Sequence, residues 1–195
     1  MTPERTQKLQ QVLSKRQADV TLVLENVHDP HNISAVMRTC ESVGIQDIFV
    51  LNTKMPTHKK FGERSSSSAL KWLTIHQYDN AAACFAELRK RTFRIYTTWL
   101  GTGSVDLYAM DFTQPKAIVF GNEKTGVSDE IRALADGNMV IPQVGIIQSL
   151  NISVACAVTV YEAFRQKRLA AHYDVPRLTD QHYEELWTLW SENRD

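Results

Sequence analysis

Thr21-Leu22-Val23-Leu24-Glu25-Asn26-Val27-His28-Asp29-Pro30-His31-Asn32-Ile33-Ser34-Ala35-Val36-Met37-Arg38-Thr39-Cys40 changes backbone character within one stretch. Residues 21–27 are a mostly apolar run of strand length, the pattern of a strand buried on both faces. Asp29-Pro30 breaks it, because proline has no N–H to give and biases the residue before it away from helix. Beyond the break, Asn32 or Ser34 can cap a helix that runs to about Val43 and stops at Gly44.

Working outward, strands and helices keep alternating. Asp47-Ile48-Phe49-Val50-Leu51 reads as a second strand, 70–78 as a third, and 93–99 as a fourth that ends at Gly101-Thr102-Gly103. Ala117-Ile118-Val119-Phe120 runs into Gly121, and Met139-Val140-Ile141-Pro142 is a last strand whose ladder Pro142 must end. Helices are expected over 81–91, 128–135 and 151–169. The last carries Val154, Ala157, Val158, Tyr161 and Phe164 around much of its surface, so it belongs in a core or an interface. This alternation predicts an α/β fold with a mostly parallel sheet and helices on both faces. Residues 3–16 and about 179–191 add a helical extension at each end, the second with Tyr183, Leu186, Trp187 and Trp190 on one side. With 195 residues, no internal repeat and no linker, the expectation is one domain over 1–195.

Composition excludes several classes. The apolar and charged fractions are those of an ordinary globular protein. No apolar run is long enough to span a bilayer, and the polar start Met1-Thr2-Pro3-Glu4-Arg5 lacks a signal-peptide core, so the expected compartment is the cytoplasm. Cys40, Cys84 and Cys156 form no CxxC pair and read as small buried hydrophobes. The net charge is zero, yet basic residues gather in 5–16, 54–64 and 89–94 while acids dominate the tail through Asp174, Asp180, Glu184, Glu185, Glu192 and Asp195. A neutral total can hide a positive face, since only the local field acts on a phosphate. On charge alone, solvated helix faces explain the same pattern.

The familiar site motifs are absent. Gly101-Thr102-Gly103 lacks the third glycine and the helix of a dinucleotide fingerprint, and Gly121-Asn122-Glu123-Lys124-Thr125-Gly126 lacks the Gly-Lys-Ser/Thr of a phosphate loop. His28 and His31 have no third ligand at zinc spacing, and there is no Gly-x-Ser-x-Gly elbow. Three strand ends nevertheless carry polar or glycine-bearing turns: 98–103, 121–126 and 142–149. In open α/β sheets ligands bind beyond the carboxyl ends of strands. Backbone groups there, with apolar side chains from Leu100, Ile141, Ile146 and Leu150, suit the flat apolar face and polar edges of an adenosine.

Leu24–Cys40, Phe120–Gly126 and Ile141–Ser153, followed by Tyr161-Glu162-Ala163-Phe164-Arg165-Gln166 and the tail His172-Tyr173-Asp174-Val175-Pro176-Arg177-Leu178, together resemble the TrmH family of SpoU/SPOUT-class RNA 2′-O-ribose methyltransferases. The resemblance covers nearly the whole chain. It implies a deep trefoil knot in the C-terminal half, which sequence physics would never propose. It also implies S-adenosyl-L-methionine (AdoMet) as cofactor, a homodimer, and tRNA as substrate, methylated on guanosine 18 of the D-loop. Carried over residue by residue, Asn32 and Arg38 match the first motif's Asn and catalytic Arg, and Glu123 the acidic residue of the second. Ser149 and Asn151 match the polar pair of the third, and Thr98, Leu100, Gly121, Ile141, Ile146 and Leu150 the AdoMet-pocket positions. Glu123 is expected to pair with Arg38 or with a neighbouring N–H. Lys59, Lys60 and Arg64, with Arg38, are the expected RNA contacts, and no metal is implied. The loop Ser65-Ser66-Ser67-Ser68-Ala69-Leu70-Lys71 is less glycine-rich than the family's pattern.

The sequence leaves two roles for Arg38: a transient base, or an orienter of phosphate and developing alkoxide. Asn32, Ser149 and Asn151 could equally be helix caps. Competing functions are 2′-O-methylation at the tRNA wobble position or in ribosomal RNA, a non-catalytic RNA-binding module, and a nucleotide-binding enzyme without RNA.

Overall fold

The computed structural model describes residues 1–57 and 69–192. Seven strands, β1 Val20–Glu25, β2 Asp47–Leu51, β3 Thr74–Tyr78, β4 Arg94–Thr98, β5 Val105–Asp106, β6 Lys116–Phe120 and β7 Gly137–Val140, form one sheet in the order β3-β2-β1-β6-β4-β7-β5. Every pairing is parallel. All carboxyl ends therefore open on one edge of the sheet, and the loops after β1, β6, β4 and β7 are neighbours there.

The helices are α1 Pro3–Leu13, α2 Pro30–Ser42, α3 Ala81–Lys90, α4 Asp129–Leu134, α5 Ile152–Leu169 and α6 Asp180–Glu192. β1, β2 and β6 are buried along their full length, because alternate residues enter different cores. Leu22, Leu24, Ile48, Val50, Ile118 and Phe120 pack with α2 and α5, whereas Val23, Phe49, Leu51, Ala117 and Val119 pack with α3 and α4. The two-faced α/β architecture read from the sequence is thus present. Cys40, Cys84 and Cys156 are free and buried.

Three expectations are corrected in detail. Neither Asn32 nor Ser34 caps α2: Asp29 does, accepting from His31 N–H at 2.8 Å, with Pro30 opening the helix. Proline's fixed φ and missing N–H suit that first position. The strand expected over 70–78 starts only at Thr74, because 69–72 is a short 3₁₀ turn that sets Trp72 edge-on to Trp190 at 5.3 Å. α1 ends at Leu13 rather than 16. The buried Arg16 leaves the helix axis to bond Ile45 O, pair with Glu41 at 3.1 Å and lie over the Trp190 ring. β5 carries no readable signal in its two residues.

α1 and α6 share a separate apolar cluster of Leu9, Leu13, Leu186 and Trp190, joined by Trp72 and Trp187. No described helix is long and apolar enough to cross a membrane.

Candidate active site

A cleft of about 630 Å³ opens at the carboxyl ends of β4, β6 and β7. Its walls are the turn after Thr98, the loop 121–126, the segment after Val140 and the start of α5. Of the residues expected to hold the cofactor, Thr98, Leu100, Gly121, Ile141 and Leu150 line it. Ile146 does not: it lies fully exposed beside the equally exposed Val144. Among the expected catalytic residues, Glu123, Ser149 and Asn151 line the cleft as well.

The loop 121–126 owes its shape to backbone and one amide. Asn122 and Gly126 exchange N–H···O bonds of 3.1 and 2.8 Å, which closes the turn. Asn122 Oδ1 accepts from Lys124 N–H at 2.8 Å, and its Nδ2 donates to Asn26 O at 2.7 Å, tying the loop to the end of β1. Gly126 has φ +68°, and a Cβ on Gly121 would sit 2.1 Å from the Gly126 carbonyl carbon. Only glycine fits at 121, and the left-handed φ at 126 favours it there. The carboxylate of the buried Glu25 accepts from Ser128 N–H at 3.0 Å and anchors the far side of the loop.

Three distant segments meet at the rim. Asn151 Nδ2 donates to Asn32 Oδ1 at 3.3 Å, and Asn32 Nδ2 donates to Glu123 Oε1 at 3.1 Å. Asn32's amide orientation is therefore set from both sides. Asn151 also caps α5, its Oδ1 accepting from Ser153 N–H at 2.9 Å. Capping and site roles coexist in this residue, since its oxygen serves the helix and its nitrogen serves Asn32. Ser149 is exposed on the cleft wall and caps no helix.

Arg38 lies apart. It is exposed on α2, does not line the cleft, and has no side-chain ion pair among the described residues. Glu123 therefore takes the amide N–H of Asn32 rather than Arg38. Six residues along a helix turn by roughly 240°, which puts Arg38 on a different side of α2 from Asn32. Lys59, Lys60 and Arg64 lie outside the described residues. Among the described residues no group of His, Cys, Asp or Glu is placed to hold a metal.

Two cleft residues escaped the sequence reading. Trp99 lines the wall with Arg132 of α4 over its ring at 3.9 Å from the centroid. Arg132 also pairs with Asp129, and a Cβ added at Gly126 would come within 3.8 Å of the indole. Nothing local links positions 99 and 132, so no pattern exposes the pair. Asn122 could have been found from the turn preference of Gly-Asn.

A cleft of this size, with apolar walls from Leu100, Met139, Ile141 and Leu150 and polar edges from Thr98 and Ser149, fits a nucleoside-type cofactor such as AdoMet. The fold and this cleft define the class. Residues 19–161 match the family model described as the SpoU rRNA Methylase family, and the chain belongs to that family. More particularly, it is 42% identical over 97% of its length, and 96% of the relative's, to a tRNA (guanosine(18)-2′-O)-methyltransferase of Thermus thermophilus. It is 37% identical to the Aquifex aeolicus enzyme of the same name, over 96% of this chain and 89% of that one. Among solved structures, the A. aeolicus TrmH/SpoU tRNA modifying enzyme superposes with a TM-score of 0.88 at 37% identity, covering 97% of this chain and 96% of that one. The SpoU methyltransferase AviRb of Streptomyces viridochromogenes, solved in complex with AdoMet, gives a TM-score of 0.70 at 25% identity over 80% of this chain and 62% of that one.

Proposed function

We propose that the chain is a tRNA (guanosine-18-2′-O)-methyltransferase that uses AdoMet. The observation that carries this reading is the hydrogen-bonded chain Asn151–Asn32–Glu123 at the rim of the cleft. It gathers one residue from each of three segments in a chain whose near-full-length relatives are named for this reaction. When bound, AdoMet supplies an activated methyl group on a sulfonium.

The remaining work falls to the protein's residues. Thr98, Leu100, Gly121, Ile141 and Leu150 hold the cofactor and exclude water from it. Asn32, held between Asn151 and Glu123, presents its amide to the ribose, and Ser149 stands on the same wall. A ribose hydroxyl is a poor nucleophile until its proton moves, yet a guanidinium stays protonated far above neutrality. Arg38 therefore acts by charge rather than as a base, orienting the nucleotide phosphate from the exposed side of α2, outside the cleft of its own chain. Alignment of nucleophile and methyl group accounts for the rest.

The working form is a homodimer in the cytoplasm, built on one domain over 1–195 with a knotted C-terminal half. Exposed Val154 and Tyr161, seven residues apart on α5, with Val144 and Ile146 in the neighbouring loop, support a second copy covering this side. The mass in solution by light scattering checks it, and a monomer would overturn it. Arg38→Ala should abolish methyl transfer to unmodified tRNA while AdoMet still binds by calorimetry. Near-normal turnover in that variant would refute the assignment.

A further inference from the structure

Arg94 and Lys116 open β4 and β6, and they are register partners in the parallel pairing of those strands. Their side chains therefore leave the sheet side by side on one face. Both line a cavity of about 550 Å³ at the amino ends of the strands, the opposite edge from the cofactor cleft. Lys116 is only 6% exposed. No ion pair holds either cation among the described residues, whereas the neighbouring Lys167 and Arg177 both pair with Asp19.

Asp111 also lines this cavity, but its Oδ1 already accepts from the N–H and O–H of Thr113 at 2.9 and 2.6 Å. Adjacent like charges are destabilising, and the single carboxylate of Asp111 offsets the pair only in part. Burial lowers the Lys116 pKa, Asp111 opposes that in part, and Arg94 adds to the lowering. Two cations against the one carboxylate of Asp111 leave this wall net positive, the arrangement that an anion completes.

We propose that this cavity is a second ligand site, which binds a phosphoryl group between Lys116 and Arg94. Charge-assisted hydrogen bonds from an ammonium and a guanidinium suit such oxygens, and the guanidinium can engage two at once. Gln114 and Tyr96 add polar groups to the wall, and Val105 and Met110 give apolar surface for the body of a phosphate ester. The phosphoryl group has two possible sources, the backbone of an RNA or a free phosphate anion.

The test uses inorganic phosphate and the full-length protein with Arg94→Gln and Lys116→Met. Calorimetry at low ionic strength should give one saturable site per chain, weakened at least about tenfold by either substitution, as expected for loss of one charge-assisted bond. AdoMet binding should be unchanged in both. Arg94 is exposed, so its variant keeps the test decisive if Lys116→Met folds poorly. No saturable site, or one that both variants bind as the wild type does, overturns the proposal. A tRNA salt titration then separates the sources. A slope that falls by about one to two in the double variant assigns the group to RNA. An unchanged slope, with phosphate binding lost, assigns it to the free anion.

Discussion

Asn32 and Glu123 stand 91 residues apart in the chain, and the side-chain N–H of the first meets a carboxylate oxygen of the second at 3.1 Å. The contact exists because β1 and β6 are neighbours in a parallel sheet, so α2 and the loop 121–126 start from adjacent carboxyl ends. Asn151, accepted by Asn32 at 3.3 Å, arrives from a third segment. An amide suits the centre, because it carries both the donor and the acceptor that join the two neighbours.

Asn32→Asp should therefore be more damaging than its size suggests. It removes the donor and places a second carboxylate against Glu123, so one of the two must hold a proton or the pair must part. Methyl transfer near neutral pH should fall by about 100-fold, the order seen when one preorganised donor is lost. Asn32→Gln, which keeps the chemistry but not the reach, should recover only a part. Steady-state transfer of labelled methyl to tRNA checks both.

Trp99 and Arg132 predict a change in binding without a change in chemistry. Arg132→Gln removes a cation–π contact of about 1 kcal/mol and should weaken AdoMet binding roughly fivefold. Trp99→Ala should do more, since the indole itself lines the cleft, and Trp99→Phe should recover most of the loss. The other tryptophans, Trp72, Trp187 and Trp190, sit in the terminal-helix cluster. Fluorescence changes on AdoMet addition should accordingly disappear in Trp99→Phe.

Replacing Lys59, Lys60 and Arg64 together by Ala tests the RNA face read from the sequence. If these residues neutralise phosphates, the slope of log K against log salt for tRNA should flatten by up to about three. An unchanged slope would move the RNA face elsewhere on the chain.

Asp47 gives a pH dependence. Burial by itself raises its pKa, but hydrogen bonds from His76 at 2.6 Å and Arg91 at 3.1 Å, with their charges, outweigh burial and hold it below the ordinary value. The unfolded chain therefore takes up the proton first as pH falls. The stabilisation is complete above about pH 4 and is lost as pH drops through the lower native pKa. Asp47→Ala should cost about 3 kcal/mol near neutrality, as for one partner removed from a buried charged pair. The gap from wild type should shrink in acid, measured by urea unfolding across pH.

The elements themselves are legible in the sequence because they rest on local physics. Apolar runs such as 21–27 and 117–120 mark strands covered on both faces, although β1 ends at Glu25 and β7 at Val140, before Asp29-Pro30 or Pro142 is reached. Where a distant partner intervened, reading failed. Trp72 turns into a 3₁₀ segment to meet Trp190, and Arg16 leaves its helix for Glu41 and the same ring.

By itself the sequence determined the residue chemistry, the alternation of strand and helix, and the motifs that mark the family. Only the tertiary structure decided which motifs touch. Sheet order brings β1, β6, β4 and β7 side by side, and such pairing depends on contacts between residues far apart in the chain. That is why Asn32, Glu123 and Asn151 converge while Arg38, on the same helix as Asn32, stands apart, and why Arg94 and Lys116 meet at the opposite edge.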